Sequence, residues 1–202
     1  MSLIYIVRHG NTFDTGDIIR RVGGRTDLPL SVSGQIQAQK LAAHFKNLNF
    51  VNAYASKLKR QVDTANAILN AQSQSCKLET LEFLKEIDYG PDENKAENDV
   101  IARIGSTAMA NWDKNAVPPQ GWNVDPRAIQ DKWGHFFDSH KINNLPPKGP
   151  TLIVTSNGIA RFILDVTEHK TNIPRKLRTG SYGIVDVQKN TPRILSWDVR
   201  PD

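Results

Sequence analysis

The feature that most constrains the fold is an apolar run near the start of the chain, which stops abruptly at Arg8-His9-Gly10. The run covers residues 2–7 and is rich in β-branched side chains, so it predicts a buried strand that ends at Arg8. In an open α/β sheet, ligands bind at the carboxyl ends of the strands. A neutral imidazole at that position can attack an electrophile, and an adjacent arginine offers planar donors that suit phosphate oxygens. These residues therefore indicate phosphoryl transfer through a histidine.

Length and composition predict one folded domain over residues 1–202. Hydrophobic residues make up 39% and charged residues 23% of the chain, as in an ordinary globular protein with one substantial core. We expect no membrane partner, because no apolar run approaches the roughly 20 residues that span a bilayer, and the amino terminus lacks a secretory pattern. With Cys76 as the single cysteine, no internal disulfide can form, which favours a cytoplasmic location.

The charge of the chain suits a small anionic ligand better than a nucleic acid. The formal net charge is +5, but the 26 basic residues are scattered among 21 acidic ones, without a dense basic run or an aromatic-basic ladder. A positive field of this kind attracts a small phosphorylated substrate or phosphate itself. Neither a cysteine-histidine metal spacing nor a P-loop is present, so we expect no metal and no cofactor. Nothing in the sequence indicates the oligomeric state.

Strands and helices alternate along most of the chain. The predicted strands cover residues 2–7, 50–55, 151–155, 182–187 and 193–199, and a further strand begins at Leu78. The predicted helices cover residues 33–48 with Ser33 as N-cap, a segment after residue 56 with a stripe of Leu58, Val62, Ala65 and Leu69, and a segment that begins at about Gly158 and ends near His169. This alternation predicts a three-layer α/β/α sandwich with a mostly parallel central sheet, closed by an antiparallel pair at one edge.

The region from about residue 91 to 148 has the least regular pattern and is expected to be a helical excursion. Two helical patches lie near residues 94–113 and 125–139, and proline-rich segments at 117–122 and 145–150 interrupt them. Three tryptophans fall in this region, namely Trp112, Trp122 and Trp133. Core packing explains such tryptophans most simply, and an aromatic rim of a pocket is the alternative.

Four segments resemble signature motifs of the histidine phosphatase superfamily, the phosphoglycerate-mutase-like enzymes. They are Arg8-His9-Gly10-Asn11-Thr12, the segment Gly24-Arg25-Thr26-Asp27-Leu28-Pro29-Leu30, Ser56-Lys57-Leu58-Lys59-Arg60, and the stretch of residues 84–90 that contains Glu86. The resemblance implies a phosphoglycerate-mutase-like fold for the whole chain. It also implies that the region at about 91–148 covers the active site and decides the substrate.

The resemblance assigns roles to individual residues. His9 would attack phosphorus to give a phosphohistidine, Arg8 and Arg60 would hold the phosphate oxygens, and Glu86 would protonate the leaving group. Glu86 has four nearby alternatives in Glu82, Asp88, Asp92 and Glu93. The expected substrate contacts are Asn11, Thr12, Arg21, Gly24, Arg25, Ser156 and Asn157. The loop glycines could instead serve only a turn, and the loop arginines could face solvent.

One segment departs from the family pattern. Aligned on Arg161, the stretch Thr155-Ser156-Asn157-Gly158 resembles the family's Val-Ser-His-Gly-Gly segment, but Ser156 stands where the second active-site histidine is expected. Asn157 is the alternative occupant if the turn is one residue tighter. Both side chains, and the backbone N–H groups of a helix amino terminus, can still donate to phosphate. His135 and His140 could also fold back toward the site.

The function expected from the sequence is a phosphomonoester hydrolase that acts through His9 on an unidentified substrate. A mutase would share every step except the last, because the phosphoryl group would return to a substrate instead of passing to water. A binding module that keeps the phosphate pocket without efficient turnover is the third reading. Losing a donor to the transferring phosphoryl group reduces a rate by roughly 10²–10³, which is the reason for retaining this third reading.

Overall fold

The computed structural model describes residues 3–74, 76–140, 149–188 and 191–201. Within these ranges, the strands of the central sheet are β1 (Leu3–Arg8), β2 (Asn52–Ala55), β3 (Leu78–Thr80), β4 (Thr151–Thr155), β5 (Tyr182–Asp186) and β6 (Arg193–Val199). The helices are α1 (Val32–Phe45), α2 (Lys59–Asn70), α3 (Glu97–Ile104), α4 (Ser106–Asn115), α5 (Pro126–Ser139) and α6 (Asn157–Ala160). The last three predicted strands therefore lie within one residue of their expected limits.

The sheet has the strand order β3-β2-β4-β1-β5-β6, with the amino-terminal strand inside it. Strands β3, β2, β4 and β1 are parallel to one another, whereas β5 and β6 are antiparallel to their neighbours. Arg8 is paired with Thr155, so the carboxyl ends of β1 and β4 lie side by side. This confirms the predicted mostly parallel sheet and brings the segment after His9 next to the segment after Thr155.

Helices cover both faces of the sheet, because its strands bury side chains on both faces. On one face, Leu41 and Phe45 of α1 and Ile68 of α2 pack against Val7 and the neighbouring strands. On the other face, the core contains Ile4 and Ile6 of β1 together with the large aromatic side chains of α4 and α5. The result is the predicted three-layer α/β/α arrangement, and Trp112, Trp122 and Trp133 are all core residues.

Two predicted helix boundaries were wrong. Ser31, not Ser33, caps α1: its Oγ accepts a hydrogen bond from the Gly34 N–H at 3.2 Å, and the Asp14 carboxylate accepts from the N–H groups of Val32 and Ser33. The helix after β4 was expected to run toward His169, but α6 has only four residues and continues as a short 3₁₀ turn over Arg161–Asp165.

In the described residues of the excursion between β3 and β4, three α-helices are present instead of the two predicted helical patches. Gly105 adopts φ +82° between α3 and α4, a conformation that favours glycine, and it divides the first patch. The strand that begins at Leu78 is short, because a 3₁₀ turn over Glu82–Leu84 ends it. The predictions for Ser2, for the prolines at 146–147 and for residues 189–190 lie outside the described residues.

The described ranges contain neither a membrane-spanning helix nor a metal-binding cluster of side chains. None of their helices has both the length and the apolar character needed to cross a lipid bilayer. No group of three or more histidine, cysteine, aspartate or glutamate side chains in the same ranges is arranged to hold a metal ion.

Candidate active site

A cavity of about 840 Å³ opens at the carboxyl end of β1, where the motif residues come together. Eight of the eleven residues singled out from the sequence line it: Arg8, His9, Asn11, Thr12, Arg21, Arg60, Glu86 and Asn157. Gly24, Arg25 and Ser156 do not belong to its described lining. One water molecule occupies about 30 Å³ in the liquid, so the volume of this cavity is many times that of a water molecule. It therefore exceeds the space that a phosphate group needs.

Two neighbours fix the imidazole of His9, which is 5% exposed. Its Nδ1 lies 2.7 Å from the carbonyl oxygen of Gly10, which only accepts, so Nδ1 carries the proton. Its Nε2 accepts a hydrogen bond from Nε of Arg60 at 3.2 Å. Burial, with the charges of Arg60 and Arg8, holds the pKa of His9 well below its ordinary value. The ring is therefore neutral near pH 7, with its lone pair on Nε2.

The glycine-rich loop after Arg21 holds Arg60 in place. The Arg60 guanidinium is fully buried and donates to the carbonyl oxygens of Thr26 at 2.9 Å and Gly23 at 3.2 Å. Behind it, the Thr64 hydroxyl donates to the Arg60 carbonyl and accepts from the Gly10 N–H, which ties α2 to the segment after β1. The loop thus fixes the position of the arginine that contacts His9.

Gly24 and Arg25 have roles in this loop that do not involve the cavity. Gly24 donates its N–H to the Ile87 carbonyl at 2.9 Å, and a Cβ at Gly24 would lie 2.5 Å from the Glu86 carbonyl oxygen. Arg25 is exposed and pairs with Asp88 at 3.0 Å. Gly24 thus serves the turn and Arg25 faces solvent, as the alternatives stated from the sequence allowed. Neither belongs to the described wall of the pocket.

Arg8 is tied to the loop that precedes β5. Its Nη1 donates to the Leu177 carbonyl at 2.8 Å, while its buried Nε has no hydrogen-bond partner among the described residues. The Gly180 N–H lies 3.2 Å from the carbonyl oxygens of both Arg8 and His9, and Thr179 Oγ1 donates to the Asn11 side chain. These hydrogen bonds come from the segment that precedes the antiparallel strand β5, and they fix the backbone of the Arg8-His9-Gly10 motif.

Glu86 is a buried carboxyl group that shares the cavity with both arginines. Its Oε1 accepts from the Ile87 N–H at 3.0 Å, and a hydrogen bond also comes from the Gly158 backbone. Burial raises the pKa of Glu86, although these hydrogen bonds and the charges of Arg60 and Arg8 act in the opposite direction. A Cβ at Gly158 would lie 2.2 Å from Oε1, so the carboxyl group reaches this position only beside glycine.

The other carboxylates considered with Glu86 have partners elsewhere and do not line the cavity. Asp92 binds Arg103 and the Trp122 indole, and Glu93 accepts from the backbone of Gly23 and Arg25. Asp88 binds Arg25, and Glu82 lies near Lys85 on the surface. Among the five candidates, Glu86 alone shares the described cavity with His9.

Asn157, not Ser156, lines the cavity after β4. Ser156 is fully buried, and its Oγ accepts a hydrogen bond from the Gln61 amide at 2.9 Å. Asn157 begins α6, and its Oδ1 accepts from the Leu177 N–H at 2.9 Å, which leaves its NH₂ group as the donor. Of the two positions considered from the sequence, Asn157 therefore belongs to the described lining of the cavity and Ser156 does not.

Arg161 also lines the cavity, although sequence reasoning used it only to align a motif. It is 1% exposed, its guanidinium carbon lies 3.9 Å from the centre of the Trp112 ring, and it donates to the Trp112 carbonyl. The signal that could have identified it was the motif itself, which places an arginine one helical turn after Asn157.

Comparison with known sequences assigns the chain to a family. The sequence profile of the histidine phosphatase superfamily (branch 1) matches residues 4–200, which is nearly the whole chain. The chain belongs to the histidine phosphatase superfamily. The chain is 34% identical over 205 residues to the protein named probable phosphoglycerate mutase GpmB of Enterobacter sp. (strain 638), covering 98% of the chain and 91% of that relative.

Solved structures show the same fold at lower identity. Phosphoglycerate mutase from Bacillus anthracis aligns with a TM-score of 0.78 at 21% identity, covering 98% of this chain and 92% of the other chain. Phosphoserine phosphatase from Entamoeba histolytica, solved in complex with 3-phosphoglyceric acid, aligns with a TM-score of 0.74 at 18% identity over 98% of both chains. Mutases and phosphatases thus share this fold.

Among the described residues of the chain, His9 is the only histidine that lines the cavity. His44 lies 2.9 Å from the Tyr182 hydroxyl, and His140 stacks on Phe136 at 4.2 Å. His135 and His169 are exposed on the surface. Neither His135 nor His140 therefore folds back toward His9, as the sequence left open.

Proposed function

We propose that this chain is a phosphomonoester hydrolase that acts through a phosphohistidine on His9. One observation carries the proposal: a neutral imidazole with its lone pair on Nε2 shares a cavity with Arg8, Arg60 and a buried carboxyl group of raised pKa. These groups are a nucleophile, two cations for the phosphate oxygens and a general acid, which are what the transfer of a phosphoryl group requires.

In the first step, Nε2 of His9 attacks phosphorus while the bond from phosphorus to the ester oxygen breaks. Arg60 donates to Nε2 in the structure, so we expect this N–H to move to a phosphate oxygen when the substrate binds. Protonated Glu86 gives its proton to the leaving oxygen, which departs as an alcohol. Arg8 and Arg60 balance the charge of the phosphoryl group throughout.

In the second step, water attacks the phosphorus of the phosphohistidine, and the phosphorus–nitrogen bond breaks. Glu86, now ionised, takes a proton from that water and so returns to its starting state. Inorganic phosphate leaves, and His9 recovers its lone pair. The Asn157 NH₂ group and the Arg8 guanidinium are the groups that we assign to the equatorial phosphate oxygens.

A phosphoglycerate-mutase activity is the second candidate, and the 34% identical relative that covers 98% of the chain favours it. Both activities begin with the same phosphohistidine. They differ in whether the second acceptor is water or another hydroxyl group, so the products separate them: free inorganic phosphate for a hydrolase and a phosphate isomer for a mutase.

The test is direct detection of phosphate on His9. The parent protein is mixed with an acyl phosphate, quenched in alkali and analysed by mass spectrometry for an acid-labile phosphate. We expect rapid labelling of His9 and release of inorganic phosphate, neither of which His9→Asn should show. His44→Asn is the matched control, because His44 contacts Tyr182 away from the cavity, and it should behave as the parent.

Two results would contradict the hydrolase. Labelling that is discharged only by an added phosphoglycerate would favour the mutase. Binding of phosphate or vanadate, measured by calorimetry with a chelator present, without labelling by any donor would favour a binding module instead.

A further inference from the structure

Strand β6 contains a β-bulge at Asp198. The register of β6 against β5 shifts at this point, so Trp197 and Asp198 of β6 stand opposite the single residue Gly183 of β5. Asp198 adopts φ +57°, a left-handed conformation that is uncommon outside glycine and that aspartate and asparagine tolerate best. Its side chain is only 14% exposed, although β6 lies at the edge of the sheet. Bulges next to functional sites often re-aim a side chain, and this one aims Asp198 at the loop that precedes β5.

The Asp198 carboxylate binds that loop, residues 177–181, at several points. Its Oδ1 accepts hydrogen bonds from the Arg178 N–H and from the Ser181 hydroxyl, both at 2.7 Å. Its Oδ2 accepts from Nε of Arg178 at 2.6 Å, and the Asp198 carbonyl oxygen accepts from Nη2 of the same side chain at 3.0 Å. The Arg178 side chain is 47% exposed, so the ion pair alone contributes little. The bond to the Arg178 N–H is the one that reaches the site.

The Arg178 N–H and the Leu177 carbonyl belong to one peptide unit, which is planar and rigid. Asp198 binds the N–H end of this unit, and Nη1 of Arg8 donates to its carbonyl end at 2.8 Å. The peptide unit thus lies between an anion and a cation, and hydrogen bonds arranged in such a chain polarise and strengthen one another. Because the guanidinium is planar, fixing Nη1 also fixes the directions of its other N–H donors.

The same loop orients a second group of the site. The Leu177 N–H donates to Oδ1 of Asn157 at 2.9 Å, so backbone groups of Leu177 hold both Arg8 and Asn157. Burial lowers the pKa of Arg8, and the charge of Asp198 is among those that act in the opposite direction. Asp198 itself lies outside the described lining of the cavity, so any effect on a bound phosphoryl group passes through the loop.

From these contacts we infer that Asp198 is a positioning residue for the phosphoryl group, which acts on the Arg8 guanidinium through the Leu177–Arg178 peptide unit. The inference rests on the proposed function, because it takes a phosphoryl group as the ligand of Arg8. It adds a residue from the far end of the chain to a site that the amino-terminal motif defines.

A double-mutant cycle with vanadate tests this role without requiring turnover. Vanadate affinity is measured by calorimetry for the parent, Asp198→Asn, Arg8→Lys and the combined variant. Asparagine accepts the left-handed conformation at position 198 but has no charge. Lysine keeps the positive charge at position 8 but lacks the planar fork of donors.

We expect Asp198→Asn to weaken vanadate binding about tenfold in the parent and less than twofold in Arg8→Lys, because the geometry that Asp198 maintains is already lost there. A loss of stability alone would affect both backgrounds equally. Equal or larger weakening in Arg8→Lys, or no weakening in the parent, would overturn the inference. Asp198→Gly, which fits φ +57° without strain, is an independent second variant and should give the same pattern.

Asp186→Asn is the matched control. Asp186 of β5 also accepts from a backbone N–H, that of Gln188 at 3.0 Å, but it pairs with Leu3 at the end of β1 away from His9. It should bind vanadate as the parent does. Weakening by Asp186→Asn as large as that by Asp198→Asn would overturn the assignment to the Leu177–Arg178 peptide unit.

Labelling of His9 by an acyl phosphate separates this inference from the hydrolase. A coupled loss of vanadate affinity in a protein that is never labelled would support the positioning role and overturn the hydrolase. Labelling of His9 in the parent without coupling between positions 198 and 8 would do the reverse.

Discussion

The protonation states of His9 and Glu86 are set by burial in opposite senses. Burial, with the neighbouring arginines, lowers the pKa of His9, whereas burial raises the pKa of Glu86. Near neutral pH, this keeps the nucleophile unprotonated and increases the protonated fraction of the acid relative to an exposed glutamate. Two titratable groups shifted in this way can serve as base and acid in the same reaction.

These shifts predict the pH dependence of kcat/KM for an alkyl phosphate. Activity requires neutral His9 and protonated Glu86, so the acid limb should lie well below pH 6.5. The alkaline limb should follow the raised pKa of Glu86, and activity should fall as the pH rises through it. Glu86→Gln should remove that limb and lower kcat/KM by about 10²–10⁴. An alkaline limb that persists unchanged in Glu86→Gln would show that Glu86 is not the group whose ionisation produces it.

At the level of single residues, the sequence motifs predicted the positions of the residues at the carboxyl end of β1. Arg8 and His9 follow a strand whose apolar pattern is unambiguous, so their place at the sheet edge could be predicted. Ser156 and Asn157 could not be distinguished from the sequence, because a shift of one residue in the turn exchanges which side chain is buried. Arg25 was misjudged because its partner, Asp88, is distant in sequence.

The short helix α6 brings its amino terminus close to Glu86, the general acid of the proposed mechanism. Gly158 contributes a backbone hydrogen bond to Glu86 and leaves no room for a Cβ, which would lie 2.2 Å from Oε1. The approach of α6 to Glu86 thus depends on a residue without a side chain.

We therefore predict that Gly158→Ala displaces the Glu86 carboxyl group and lowers kcat by about 10²-fold, the size of effect expected from a misplacement of about 1 Å. Gly134→Ala is the control, because a Cβ at Gly134 in α5 meets nothing within 4 Å. It should keep full activity and stabilise the protein by about 0.5–1 kcal/mol, since alanine is the better helix former. Turnover and thermal unfolding of the two variants check both expectations. Full activity of Gly158→Ala would contradict the prediction that the reaction depends on the position of the Glu86 carboxyl group.

The boundaries of helices and strands could be predicted where the apolar periodicity was strong. The predictions failed where local capping hydrogen bonds determine the boundary. The periodicity of α1 was recognised, but its start depends on hydrogen bonds from Ser31 and on Asp14, which lies 17 residues earlier. The length of β3 depends on a 3₁₀ turn that leaves no periodic signal. The predicted limits of β4, β5 and β6 agree with the observed ones to within one residue, although the pairing of β5 with β6 contains register shifts near Ile184.

On the scale of the whole molecule, hydrogen bonds to a buried carboxylate connect different parts of the helical excursion. Asp92 is 2% exposed, its Oδ1 accepts from Arg103 of α3 at 2.6 Å, and its Oδ2 accepts from the Trp122 indole at 2.6 Å. Burial alone would raise the pKa of Asp92, but the hydrogen bonds from Arg103 and Trp122 outweigh it and lower the pKa. The charged form is therefore favoured by folding.

This linkage predicts how stability changes with pH. A carboxyl group with a lowered pKa in the folded state stabilises the protein above its unfolded pKa of about 3.9, and that contribution is lost as the pH falls toward the folded value. Asp92→Asn should reduce the free energy of unfolding by about 1–3 kcal/mol at pH 7 and by less at pH 3.5. Urea denaturation at both values measures the difference. Glu82→Gln, at an exposed ion pair, should change stability by less than about 0.5 kcal/mol. Equal losses for Asp92→Asn at both pH values would exclude a charge effect.

The position of β1 inside the sheet has a consequence for the protein during its synthesis. Strand β1, which precedes His9, is synthesised well before both of its neighbours, because β4 and β5 occupy residues 151–155 and 182–186. A nascent chain that stops short of these strands leaves both edges of β1 unpaired. Because such distant pairings form late, the emerging chain must keep an apolar strand protected until β4 and β5 have been synthesised. Premature termination therefore yields a fragment prone to aggregate, not a partly active enzyme.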